Sequence, residues 1–306
     1  MIAHLNSLID SLSLDHRRGA AEIVEDLAEL FVTIARTGIE QPDEAECLFQ
    51  RAVKRLAQGQ PSMAPVLNIL NRACLAMERL GDNWAELRKA FVELQERHRS
   101  QLDGMIARLD EVPKVKDTLL TFSNSSTVAG MIIALRERGW QGRVICGEGR
   151  PILEGLVMAR KLTAADIPVT VYTDAALMSH VVDADAVWIG GDALYEKGLV
   201  NKIGSLALAI MAKTLDIRFI SFMGSDKLLP NEMNQFFHFL PQNPREVAMD
   251  YAEELDVVNE YYEHIPLELV ENVFTEKGLY RPADLLEASR KEKLSDLFRE
   301  LAQDSG

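Results

Sequence analysis

Long apolar runs are missing from this chain. No uninterrupted stretch approaches the roughly 18 residues that a membrane span requires, so no membrane partner is expected. A secretory leader is not apparent either, because in MIAHLNSLIDSLSLDHRRGA the basic pair follows the apolar part. These features point to a cytoplasmic protein. Cysteine is scarce: Cys47, Cys74 and Cys146 are odd in number and far apart, which argues for reduced thiols over a disulfide framework. Basic charge is short as well, with a formal net charge of -14. Nucleic-acid binding depends on cations that neutralise phosphates, so that partner class is not expected.

Several motif-borne chemistries are absent too. The six histidines show no HExxH or other short ligand spacing, which argues against a zinc hydrolase. There is no GxSxG elbow and no GxxxxGK[ST] loop. The strand-to-helix turns lack GxGxxG, the usual dinucleotide fingerprint. Neither a metal nor an organic cofactor is expected.

What is present is a change of texture partway along 306 residues, 47% of them hydrophobic, enough for a large core. Up to about residue 109, apolar residues recur every three or four positions, as in Ile23, Val24, Leu27, Leu30, Phe31 and Ile34. A second such stretch, Trp84, Leu87, Phe91 and Leu94, continues to Leu109 across the polar run QERHRSQ, as one long helix or two joined ones. Beyond Pro113, the segments LLTF, RVIC, VTVYT, AVWIG and RFISF read as buried parallel strands, with helical patterns such as TVAGMIIALRER between them. The expected architecture is α/β: an N-terminal helical domain over 1–112, then a Rossmann-like doubly wound parallel sheet over 113–306. From 231 to 262 no clean period is seen. Its Phe236, Phe237 and Phe239 either meet a partner surface or pack onto their own core.

Ligands of open parallel sheets bind outside the carboxyl ends of the strands. That rule collects Ser123, Asn124, Ser125 and Ser126 after the first strand, and Glu148 and Arg150 after the second. Asp174 follows the third, Gly190, Gly191 and Asp192 the fourth, and Gly224 to Asp226 the fifth. Hydroxyls, a guanidinium and carboxylates near helix N-termini suit a phosphorylated, hydroxyl-bearing small molecule. The serines are equally the preferred helix caps. In VNKIGS, Lys202 stands either at a phosphate beside a helix start or as an ordinary exposed lysine.

The motifs RRGA (17–20), TFSNSS (121–126), EGRP (148–151), GGDAL (190–194), VNKIGS (200–205) and NEYYEHIPLELVENVFTEKGLYRP (259–282) occur in a family order and spacing. With them, the chain resembles the family joining the alpha, beta and delta subunits of translation initiation factor 2B to ribose-1,5-bisphosphate and methylthioribose-1-phosphate isomerases. The resemblance implies a sugar phosphate held between a helical and a Rossmann-like domain. By the same resemblance, Arg18 and Gly19 lie near a substrate phosphate, and Arg150 matches the arginine of the ETRP element. Asn201 and Lys202 match the pair beside the sugar, and Asp192 the catalytic aspartate. Asn124 and Ser125 fall in the substrate-binding turn.

Two positions depart from the isomerases. Ser123 stands where they carry a cysteine, and a hydroxyl without a neighbouring base is a hydrogen-bond donor and little more. No histidine is near it in sequence. Gln60, in GQPSM, replaces the arginine of the ARPTA element, removing a charge-assisted phosphate contact. The initiation factor subunits also lack the cysteine, but they usually lack the aspartate that is kept here as Asp192. The expectation from sequence is therefore an initiation factor 2B subunit-like protein that binds a sugar phosphate or nucleotide monophosphate without cysteine-dependent catalysis. The alternative is an aldose-ketose isomerase of a phosphorylated pentose, with Asp192 and Ser123 as its catalytic groups. A homodimer or larger even-numbered assembly is expected in either case.

Overall fold

The helical periodicity of the first hundred residues folds into α1 (Ile2–Leu14), α2 (Ala20–Gly38), α3 (Pro42–Gly59), α4 (Ala64–Leu80) and α5 (Trp84–Ala107). These elements come from a computed structural model that describes residues 2–15, 18–251 and 253–303. The polar run QERHRSQ does not break α5, a single helix of 24 residues. Glutamine, glutamate and arginine are good helix formers, and the run contains neither glycine nor proline.

The apolar segments beyond Pro113 become strands. In chain order they and their connections are β1 (Thr118–Phe122), α6 (Ser126–Glu137), β2 (Arg143–Gly147), α7 (Glu154–Thr163), β3 (Val169–Tyr172), α8 (Asp174–Ser179) and β4 (Ala186–Ile189). There follow β5 (Ala193–Tyr195), β6 (Gly198–Lys202), α9 (Ser205–Thr214), β7 (Arg218–Phe222), β8 (Tyr262–Ile265), β9 (Asn272–Thr275) and β10 (Gly278–Tyr280). The chain closes with α10 (Pro282–Ser289) and α11 (Asp296–Gln303). All five strands expected from sequence are present, as β1, β2, β3, β4 and β7.

These five and β9 run parallel, with antiparallel β10 at one edge, in the order β10-β9-β7-β4-β1-β2-β3. β1 is an interior strand buried at every residue, as a strand covered on both faces should be. From β1 the chain first builds outward through β2 and β3, then returns to lay β4 on the other side. The order therefore reverses between β1 and β4, which makes their carboxyl ends the switch point of the sheet. A smaller antiparallel sheet, β5-β6-β8, was not foreseen.

Two compact units result. The first comprises Met1–Ser100, Asp226–Leu240 and Glu287–Gly306, and the second Gln101–Ser225 and Pro241–Leu286. This differs from a single cut after residue 112, because α11 packs against α3 and α4 and brings the chain end into the helical unit. That unit is built around three phenylalanines: Phe31 lies 5.3 Å from Phe49 and 5.4 Å from Phe91, ring centre to ring centre. The second unit centres on Trp188, Phe222 and Phe274, with Trp188 and Phe222 4.5 Å apart. Phe236 packs edge-on against Phe298 at 5.1 Å and Phe237 is buried, so these rings serve their own core. No helix among the described residues is long and apolar enough to cross a membrane.

Inside the first unit, His98 of α5 meets Asp226, with Nδ1 3.0 Å from the carboxylate and Nε2 3.2 Å from the Ala21 carbonyl. Burial alone would lower the His98 pKa, but the hydrogen bond and charge of Asp226, helped by Ala21 and Glu25, raise it above 6.5. A raised folded-state value means that the stabilisation is fully present below 6.5 and is lost as pH climbs through that higher value. Urea denaturation across this range should show the first unit weakening with rising pH, and His98→Gln should flatten the dependence. In the same unit, Phe49→Ala should cost about 3–5 kcal/mol, since it empties a fully buried ring site.

Candidate functional site

Ser123, the residue after β1, is held in the left-handed region at φ 65°. A serine there is uncommon, and such strain clusters at functional positions. Two residues on, Ser125 caps α6, its hydroxyl accepting a bond from the Val128 N–H at 3.2 Å. The capping reading of this serine is thus the one the geometry bears out. Gly190 follows β4, and a Cβ at that position would fall 2.9 Å from the Ser125 Cβ. Only glycine lets the two switch-point loops approach this closely. Asp192 lies just beyond, half-buried, its backbone N–H donating to the Val200 carbonyl at 2.8 Å.

The small sheet supplies the next residues. Asn201 and Lys202 lie in β6, both buried, paired in register with Glu263 and Tyr262 of β8. Asn201 donates to the Ser205 hydroxyl at 3.0 Å. Lys202 is therefore the buried last residue of β6, two positions before Gly204 caps α9, and not an ordinary exposed lysine. The N-terminus of α9 is already occupied: the Glu263 carboxylate accepts from the Gly204 and Leu206 N–H groups at 2.6 and 2.8 Å. An acid at a helix N-terminus satisfies both the free N–H groups and the dipole. Lys202 turns instead to Glu154, 2.7 Å away, and lies 4.8 Å over the ring of Tyr261.

Glu154, the first residue of α7, escaped the reading from sequence. Its Oε1 accepts from the Ser123 hydroxyl at 3.2 Å as well as pairing with Lys202, while its Oε2 is buried with no hydrogen-bond partner. The expectation that Ser123 lacks a neighbouring base is overturned. A carboxylate 31 residues away along the chain supplies one. The only local signal was an acid at a helix start, which reads equally well as a complement to the helix dipole.

The tyrosines of β8 and its approach register the same charges. Burial first, then the carboxylates of Asp192 and Glu154, pushes the Tyr262 hydroxyl well above the ordinary tyrosine value. Tyr262 therefore stays a neutral hydroxyl, and both acids lie within electrostatic reach of it. Tyr261 is shifted the same way, by burial and then by its hydrogen bond to Glu246 at 2.5 Å.

The remaining candidates have other partners. Asn124 is exposed and accepts from Lys161 at 3.3 Å. Arg150 is exposed too, its guanidinium donating to the Val247 carbonyl at 3.1 Å. Asp174 fastens the turn before α7, accepting from the backbone N–H groups of Gly149 and Arg150 at 2.8 and 2.7 Å. In the first unit, Arg18 is clamped by Asp15 at 2.6 Å and Asp26 at 2.7 Å. The hydrogen bonds to Asp26 and Asp15 raise its pKa further. Gly19 caps α2 through its carbonyl, which accepts from Glu22 and Ile23 at 3.1 and 3.3 Å. Arg17 lies outside the described residues. Gln60 is buried, and its amide holds the end of α1 by donating to the carbonyls of Leu12 and Asp15, each at 2.8 Å. Among the described residues no cluster of metal-ligating side chains is found.

The chain is 28% identical over 301 residues to a ribose 1,5-bisphosphate isomerase of Haloterrigena turkmenica, covering 92% of this chain and 91% of that protein. It is 25% identical over 281 residues to a putative translation initiation factor eIF-2B subunit 2-like protein of Pyrococcus furiosus, covering 90% and 95%. Its fold is similar to a Pyrococcus horikoshii translation initiation factor eIF-2B, with TM-score 0.78, 22% identity, and 92% and 98% of the two chains covered. Residues 16–282 match the initiation factor 2 subunit family, and the chain belongs to that family.

Proposed function

We propose that this protein is an isomerase interconverting aldose and ketose forms of a phosphorylated pentose, with ribose 1,5-bisphosphate the first substrate to test. The observation that carries the reading is the contact of Ser123 with Glu154, which in turn pairs with buried Lys202. A binding-only role rested on a serine with no base beside it. With a carboxylate 3.2 Å from that hydroxyl, the pocket retains an acid-base group although the thiol is gone. Relatives over most of the chain named ribose 1,5-bisphosphate isomerase support the same conclusion.

Asp192 is the second acid of the site and moves protons to and from the sugar oxygens. Lys202 and Asn201 polarise those oxygens in a region sheltered from water. Asn124, Ser125 and Arg150 border the same loops, with Arg150 the exposed cation for a phosphate. One observation favours the binding-only reading: Gln60 offers no charge, its amide being committed to α1.

The protein also forms a homodimer or larger even-numbered assembly through the second unit. Support comes from an exposed apolar run, Val247, Met249, Tyr251, Leu255 and Val258, with Met249 78% and Val258 71% exposed. Such a run is a better interface than the phenylalanines at 236–239, which are packed inward.

Incubation with ribose 1,5-bisphosphate should yield the ketose, and Asp192→Asn should lower kcat by about 100-fold or more. A thermal shift without product would return the protein to the binding-only reading. Sedimentation should find a dimer or a larger even-numbered assembly; a monomer at micromolar concentration would contradict the assembly.

A further inference from the structure

We infer that Glu154 is the group that carries the carbon-bound proton in this reaction, taking the part a thiol plays elsewhere in the family, and that Ser123 only positions it. The inference rests on the isomerase reading above. Its basis is the asymmetry of the Glu154 carboxylate. Oε1 is engaged twice, by the Ser123 hydroxyl at 3.2 Å and by the Lys202 ammonium at 2.7 Å. Oε2 is buried and has no hydrogen-bond partner. Leaving a buried carboxylate oxygen without a donor is costly, and such an atom calls for an explanation.

The surroundings fit a proton acceptor held ready. Ser123 spends its single proton on Glu154, so toward a ligand it offers only lone pairs and cannot act as the acid. Its strained φ of 65° goes with that contact. Gly149, also at positive φ, brings its backbone close against this carboxylate: a Cβ there would fall 3.2 Å from the Glu154 Cδ and 3.3 Å from Oε2. The Asp192 backbone N–H bonds to Val200 of β6 at 2.8 Å, and the same strand carries the Lys202 that holds Glu154.

Two carboxylates suffice for the chemistry on an aldose phosphorylated at C1. Glu154 takes the proton from C2, and the C2–H electron pair becomes the C1=C2 double bond. The ring bond from C1 to O4 breaks, its electrons going to O4, which takes a proton delivered through Asp192. Glu154 then returns its proton to C1 while Asp192 recovers one from the C2 hydroxyl. The C2=O bond forms, the phosphate at C1 stays in place, and both side chains end as they began.

The test uses the full chain with ribose 1,5-bisphosphate, kinetics being paired with calorimetric binding. Glu154→Gln should lower kcat by about 100- to 10,000-fold with Kd changed no more than about threefold, while Ser123→Ala should lower kcat by about tenfold or less. With ribose 1,5-bisphosphate deuterated at C2, the unmodified protein should carry deuterium to C1 of the ketose. If Glu154→Gln keeps kcat within tenfold, or Ser123→Ala loses as much as Glu154→Gln, the assignment of Glu154 falls while the isomerase reading stands. If the unmodified chain makes no ketose, both fall. Should Glu154→Gln fail to fold, Glu154→Asp decides, because it keeps a negative charge for Lys202 but withdraws the carboxylate by one methylene. A loss of about tenfold or more supports the assignment, and an unchanged kcat overturns it.

Discussion

The buried pair of Lys202 and Glu154 is the constraint around which the second unit's site is organised. Two charges at 2.7 Å, with side chains 5% and 14% exposed, have given up most of their water. Breaking such a pair by removing one partner typically costs about 3–5 kcal/mol, whereas replacing both with apolar residues is often harmless. Stability alone is thus a weak reason to keep it. What the pair does is join three parts of the chain that arrive separately: β6 with Lys202, α7 with Glu154, and the turn after β1 with Ser123. The ring of Tyr261 under the ammonium gives the cation a second partner and leaves Glu154 with one oxygen uncommitted.

Two neighbouring acids are spent on backbone. Glu263 closes the start of α9, and Asp174 closes the turn leading to α7. Each fills a cluster of N–H groups that would otherwise attract an external anion. Glu154 instead keeps one buried oxygen without a hydrogen-bond partner.

The sheet was legible because its strands are buried on both faces, so β1, β2, β4 and β7 read as near-continuous apolar runs bounded by turns. The switch-point residues followed from that reading, and the loops at Ser125 and Gly190 do meet. The small sheet was not legible. β5 is three residues long, and the partner of β6 is β8, some 60 residues later, where YEHI has no apolar alternation to betray a strand. That omission hid the reason Lys202 is buried. Glu154 was invisible for a related reason: its partners lie 31 and 48 positions away, and nothing local separates it from any acid that opens a helix.

The central claim is that the free oxygen of Glu154 faces the reacting carbons of a phosphorylated pentose. A crystal structure of the protein with the ketose bisphosphate bound tests it most directly. The account predicts Oε2 of Glu154 within about 3.5 Å of C1 or C2, the contact distance of a near-attack geometry, with Oε1 still on Ser123 and Lys202. A sugar bound elsewhere, or with those carbons facing Ser123 and Glu154 turned away, would contradict it.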